Sequence, residues 1–185
     1  MELTLRLFHV GSKETIEKFC SDALFLPISN HPYDNKWAGM GMYFWDNIGN
    51  SNWWLNKKGD RKANYLICKC ILQVQENLIL DLTDDVQWKK IEEIINFFGK
   101  DQGVKNLDEL GIRLDFILRK ELLDFAVVKL LGDYPTRTTP AFFKYEGINL
   151  KLAHVDVSGR VIYCIKEGNS NLVVSREQII VEDEN

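Results

Sequence analysis

Apolar and polar residues alternate from Leu3 to His9, which predicts a half-buried strand. Gly11 and Ser12 follow. Ser12 is placed to cap a helix from Lys13, whose Ile16, Phe19 and Cys20 share one face. Ser29 to Gly41 is rich in Pro, Asn, Asp and Gly and is predicted as loop. Met42 to Trp45 is a short apolar strand, after which Asn50 or Ser51 is expected to open a helix through Trp53, Trp54 and Leu55 to a stop at Lys57-Lys58-Gly59. The clearest strand runs from Asn64 to Val74, where Leu66, Cys68, Cys70, Leu72 and Val74 alternate strictly onto one face. Leu78 to Leu82 is a second short run.

Thr83 is the predicted cap of the next helix, with Asp84 and Asp85 in its first turn near the positive helix end. Its apolar face holds Ile91, Ile94, Ile95 and Phe98. After a break over Gly99 to Gly103, a helix is predicted over Leu107 to Leu123, with Leu110, Leu114, Ile117 and Glu121 along one side. Phe125 to Leu131 is an apolar strand and Gly132 to Asn149 an irregular loop. Val161 to Lys166 and Leu172 to Val181 are expected to close as a hairpin, ahead of a frayed acidic tail over Glu182 to Asn185. No repeat or linker interrupts this order. It predicts one α+β domain over residues 1–185, with mixed or antiparallel sheets and a helical insertion at about 84–123.

Composition narrows the function classes. Apolar residues make up 45% of the 185 positions and the net charge is −4, so wholesale disorder and non-specific DNA binding are disfavoured. No segment has the length of a membrane span and no secretory leader is evident, which points to a cytoplasmic protein without a membrane partner. Cys20, Cys68, Cys70 and Cys164 read as reduced core thiols. The Cys68–Cys70 pair has no second ligand pair to make a metal site, so no metal is expected. HExxH, GxSxG, GxGxxG and P-loop spacings are missing, which leaves zinc hydrolysis, serine-triad chemistry and those phosphate cradles unsupported.

Two segments carry candidate chemistry. In Leu7-Phe8-His9-Val10-Gly11-Ser12 a histidine ends a strand beside a glycine turn and a helix cap, which suits a ribose hydroxyl and an amide. In Gly39-Met40-Gly41-Met42-Tyr43-Phe44-Trp45-Asp46 and the following Asn47 to Trp54, glycines permit close backbone approach. Ser51 and Trp54, three residues apart, point to one side of a helix. A flat ligand fits between Tyr43 and Trp54 with Ser51 bonding its polar group. The alternative for both segments is ordinary core and strand-end packing.

Together these segments resemble the ADP-ribosyltransferase fold, in the branch of the poly(ADP-ribose) polymerases and diphtheria-type toxins. His9-Val10-Gly11-Ser12 is similar to that branch's His-Gly-Ser with one residue inserted. Gly39 to Phe44 matches its Gly-x-Gly-x-Tyr-Phe, and Ser51-Asn52-Trp53-Trp54 matches its Ser-x-x-Tyr with Trp as the last aromatic. The motif match spans residues 7–54. The resemblance implies split antiparallel or mixed sheets around a cleft for NAD, which is a substrate here. His9 would bond a ribose hydroxyl, and the backbone at Val10 or Gly11 with the Ser51 hydroxyl would hold the nicotinamide carboxamide. Tyr43 would stack on the ring, Trp54 would cover its other face, and Ser12 would reach the adenosine side.

The family's third position is a glutamate opening a late strand. By local residues it is Glu177. By strand order it falls at Arg160, Val161 or Ile162, with no carboxylate, and strand order is the preferred alignment. Relatives with an aliphatic residue there transfer single ADP-ribose units or are inactive. The resemblance therefore implies a mono-ADP-ribosyltransferase acting on an unknown protein, nucleic acid or small-molecule acceptor, or on water, in the manner of a toxin or defence effector. The alternative is a catalytically weak protein of the same fold that binds NAD, ADP-ribose or a partner. Transfer of an RNA 2′-phosphate to NAD, a related reaction, would call for more basic residues on the first strands than Arg6. Arg137 and Lys144 in the late loop are candidate contacts for an acceptor or a diphosphate.

Overall fold

A computed structural model describes residues 1–29, 31–99, 108–133 and 159–179. Seven strands form one mixed sheet: β1 (Glu2–Ser12), β2 (Met42–Trp45), β3 (Tyr65–Gln75), β4 (Ile79–Asp81), β5 (Val127–Asp133), β6 (Gly159–Ile165) and β7 (Val173–Ile179). Their order across the sheet is β4-β5-β6-β2-β1-β3-β7. Every neighbouring pair is antiparallel except β4 and β5. The α-helices are α1 (Lys13–Ser21), α2 (Ile48–Asn56), α3 (Asp85–Ile94) and α4 (Leu110–Arg119). The protein is thus α+β. Among the described residues no helix is long and apolar enough to cross a membrane.

Strand alternation builds a core on each face of the sheet. One face carries Phe8, Val10, Trp45, Ile162 and Cys164 against Leu55 of α2, Ile91 of α3 and Leu114 and Ile117 of α4. The other carries Leu7, Phe44, Cys68, Cys70 and Leu72 against Ile16 and Phe19 of α1. Ser12 caps α1 as expected, its hydroxyl accepting from the Thr15 amide at 3.2 Å. Full burial of a side chain such as Phe19 contributes about 1.5–3 kcal/mol. Burial also pushes the Cys68 and Cys70 thiols up, Cys70 to about 12, which keeps them protonated and apolar.

Several predicted boundaries need correction. The cap of α2 is Asn47, not Asn50 or Ser51, because the Asn47 side-chain oxygen accepts from the Asn50 amide at 2.9 Å. The cap of α3 is Asp84, which accepts from the Val86 amide. Thr83 instead donates its hydroxyl to Asp81 at 2.6 Å. A π turn over Ile95–Gly99 extends α3, and Phe98 is exposed there rather than buried. Helix α4 ends at Arg119, short of Leu123. Glu121 takes φ +52°, and the Glu121 and Leu122 amides return to the Leu118 and Ile117 carbonyls, a left-handed helix stop. The expected break over 99–103 lies outside the described residues except Gly99, as does most of the 132–149 loop with Arg137 and Lys144. The 182–185 tail also falls outside them.

The largest correction concerns the predicted closing hairpin. β6 and β7 do not pair. β6 lies between β5 and β2, and β7 lies at the far edge on β3. β2 explains this: all four of its residues pair with β6, whereas β1 meets it at one register only, so β6 supplies the main-chain partners of this strand and is not free for β7.

Arg176 fixes β7 to the segment after α1. Its guanidinium donates to the carbonyls of Phe19, Ala23 and Phe25 at 2.7–2.9 Å, and also to those of Asp22 and Ser170, with its carbon 4.3 Å from the Phe19 ring centre. Arg176→Ala is expected to lower unfolding free energy by about 1.5–3 kcal/mol, the range for hydrogen bonds to charged groups. Arg176→Lys should recover only part of it, since an ammonium cannot span that fan of carbonyls. Urea unfolding of the three proteins checks this, and equal stability for Lys and Arg would contradict it.

Candidate functional site

The cleft begins where two central strands part. β1 and β2 share only the Phe8–Trp45 register, so pairing is lost one residue further on, at His9 and Phe44. The Tyr43 carbonyl instead accepts from His9 Nδ1 at 2.6 Å. A carbonyl cannot donate, so Nδ1 carries the proton and Nε2 presents a lone pair. Among the described residues Nε2 has no hydrogen-bond partner. Burial lowers the His9 pKa, the Tyr43 carbonyl opposes that shift, and Lys58 adds to it. Gly11 leaves the ring its room: a Cβ there would stand 3.1 Å from Nε2.

The parted strands open into a cavity of about 570 Å³. His9, Tyr43, Trp54 and Ile162 line it from the sheet and α2, with Lys58 from the turn after α2 and Asp34 from the loop before β2. Trp54 is held by Trp45 and Trp53, each with its ring centre 6.0 Å away, and Lys58 Nζ lies 4.6 Å from the Trp54 ring centre. Burial, helped by Arg61, lowers the Lys58 pKa.

The loop from Ser29 to Gly41 forms the remaining wall. Ser29 and Gly41 exchange both backbone hydrogen bonds, at 2.9 and 3.2 Å, and close the loop at its neck. A 3₁₀ turn over Pro32–Lys36 sits at its far end, where the Asp34 carbonyl accepts from the Trp37 and Gly39 amides, both at 2.9 Å. The Tyr43 hydroxyl donates to the Gly39 carbonyl at 2.5 Å. Burial, then the nearby Cys164 and Asp34, push this phenol up, so it stays a donor.

Both motif glycines are required by contact. Gly39 has φ +74°, and a Cβ there would stand 2.6 Å from the Asp115 carboxylate. One on Gly41 would stand 2.3 Å from Cys164 Sγ. Beneath the loop, Lys166 at the end of β6 is only 4% exposed. Its ammonium donates to the Ala38 and Met40 carbonyls and, at 2.9 Å, to Asp115 of α4. The other Asp115 oxygen accepts from the Met40 amide. The predicted helical insertion therefore braces the loop: on α4, a Cβ at Gly111 would come within 2.7 Å of the Asp34 carbonyl.

Among the candidate site residues singled out from sequence, the cavity unites His9, Val10, Tyr43, Trp54 and, from β6, Ile162. Val161 falls on the opposite face of β6 from Ile162. Arg160 donates to the Asn50 side chain and lies over Trp53, its carbon 4.3 Å from the ring centre. Ser12 and Ser51 do not line the cavity. The Ser12 hydroxyl caps α1, and the fully buried Ser51 hydroxyl donates back to the Asn47 carbonyl at 3.3 Å. Glu177 is not brought to the cavity either. It lies on β7, ion-paired with Lys69 of β3, with β1 and β3 between it and β2.

Sequence reasoning missed Ser29, His31, Asp34 and Lys58, all of which line the cavity. Their one signal was position, in or next to the segments that carry the motif. A larger hollow of about 1000 Å³ lies between α4 and the end of β6; Met40 is the one residue of the motif segments among those lining it, and no candidate site residue is. Among the described residues no cluster of three or more His, Cys, Asp or Glu is arranged to hold a metal. Compared with family models, curated proteins and solved structures, the chain matches none of them.

Two measurements follow from this geometry. As pH falls through 6.5 the unfolded chain takes up a proton at position 9 more readily than the folded chain, so the folded state loses stability. The urea midpoint is expected to drop between pH 7 and pH 5.5, and to drop less in His9→Gln; equal drops would contradict a half-buried imidazole that resists protonation. Lys166→Ala leaves a loop and a carboxylate without their cation and should cost about 3–5 kcal/mol, the range for breaking a buried pair. Lys166→Ala with native stability would show that the loop holds without it.

Proposed function

We propose that this chain binds NAD in the cleft between β1 and β2 and transfers a single ADP-ribose unit from it. The observation that carries the reading is the parting of these strands, which brings His9, Tyr43 and Trp54 to one cavity of about 570 Å³. That volume is within the range of roughly 300–1,000 Å³ common for small-molecule sites. Resemblance of residues 7–54 to the ADP-ribosyltransferase motifs supports the same ligand, with the fold around it as a consequence.

In this reading the nicotinamide ring stacks on Tyr43, whose orientation is set by its bond to Gly39. Trp54 closes the ring's other side, held in place by Trp45 and Trp53. The His9 Nε2 lone pair accepts from a ribose hydroxyl. Its neutral state is what the role needs, because an imidazolium has no acceptor. Breaking the bond from C1′ to the nicotinamide nitrogen sends the electron pair to nicotinamide, which leaves neutral, and builds positive charge on the sugar. Rigid aromatic walls and exclusion of water lower that barrier by positioning. The carboxamide is left to backbone groups, since the Ser51 hydroxyl is turned into its own helix.

Ile162, an aliphatic side chain where β6 meets the cavity, favours single-unit transfer over chain growth. It also favours the second reading, a protein that binds NAD with little turnover. Free nicotinamide measured after incubation with NAD separates the two. The native chain is expected to release it, and Tyr43→Ala and Trp54→Ala each to lower the rate about tenfold or more, the equivalent of about 1.4 kcal/mol of lost stacking. A rise in melting temperature with NAD and no release selects the binding protein. Neither effect overturns both readings.

A further inference from the structure

The aliphatic Ile162 leaves a chemical need unmet. A sugar that becomes cationic at C1′ is stabilised by a nearby anion, and an acceptor that attacks it must lose a proton. Among the described residues that line the cavity, Asp34 is the one carboxylate. It comes from the loop, not from the strand that carries the glutamate in the resembling family. Resting on the NAD reading above, we infer that Asp34 supplies the carboxylate of this site.

The geometry around Asp34 suits that role. The Ser29 hydroxyl donates to Asp34 Oδ2 at 2.6 Å, which orients the carboxylate from the neck of the loop. Among the described residues Oδ1 has no hydrogen-bond partner, so it remains open to accept. The Asp34 carbonyl holds the Trp37 and Gly39 amides, and Gly39 in turn accepts from the Tyr43 hydroxyl. The residue that would stack on nicotinamide and the residue that would face the sugar are therefore tied through one loop.

That loop is braced below by Lys166 and Asp115 and against α4 by Gly111. A carboxylate so held needs little reorganisation when positive charge appears, which makes it effective in stabilising that charge. The other ionisable side chains at the cavity, besides Tyr43, are His9, His31, Tyr33 and Lys58. Tyr43 stays a neutral phenol. In the step, the C1′–nitrogen bond breaks and its electrons leave with nicotinamide. The acceptor oxygen or nitrogen bonds to C1′, and its proton passes to Asp34, which returns it to solvent.

The test pairs nicotinamide release with NAD binding in the full chain. Asp34→Asn retains the size and the bond from Ser29. It is expected to bind NAD within about twofold of the native chain, read by calorimetry, while release falls about 100-fold or more. Asp34→Glu should regain part of the rate. Asp34→Asn should keep a native-like melting temperature. Release by Asp34→Asn within twofold of native, with NAD still bound, overturns the inference and leaves the NAD reading standing. A native chain that binds NAD but releases nothing overturns the inference and selects the binding protein. A native chain that does not bind NAD overturns both.

Discussion

The Lys166 ammonium has three N–H bonds and three acceptors, and every acceptor belongs to a part that shapes the cleft. The Ala38 and Met40 carbonyls lie in the loop that forms one wall, and Asp115 lies on the helix behind that wall. A buried charge is tolerated only when its partners replace the water it gave up. Here the replacement is mostly main chain, which cannot rotate away as side chains do. The requirement runs in both directions. The loop needs the cation because two of its carbonyls are directed at the buried ammonium, and the cation needs Gly39 because a side chain there would fill the space of its Asp115 partner.

The cleft itself arises from a failure of pairing. Two strands that meet at one register separate, and a side chain takes the carbonyl that a strand neighbour would otherwise have used. The imidazole therefore has two tasks. It satisfies a main-chain group that would otherwise be stranded, and it is left neutral with one nitrogen free. A strand bond in its place would have closed the gap and removed the cavity. The aromatic walls fit this arrangement, since they make a binding surface without adding charge to a space that already holds a carboxylate and a lysine.

Much of the fold was readable before any coordinates, and the reasons differ by element. β1 and β3 alternate so regularly that their faces could be assigned residue by residue, and Ser12 named the start of α1. The helix starts at Asn47 and Asp84 were missed because several adjacent residues can cap, and side-chain reach decides among them. Glu121 stopped a helix in a conformation usually given to glycine, which no propensity indicates. The hairpin error came from treating nearness in sequence as nearness in the sheet. β2 is too short to show, from its own residues, that it needs a second partner. In the cleft, His9, Tyr43 and Trp54 carried recognisable spacing. Asp34 had none: its place depends on a loop closure and a brace contributed by residues more than seventy positions away.

The order of strands also bears on how the chain can be made. β2, near the middle of the sheet, has its second neighbour more than 110 residues later in the sequence, and the outer partner of β3 comes later still. A ribosome delivers residues in one direction, so β1 and β3 can pair early while β2 waits with one edge unpaired. Until residue 165 has emerged, that edge is open to any other extended segment, including another nascent chain. Folding of this sheet is therefore completed from the carboxyl-terminal side.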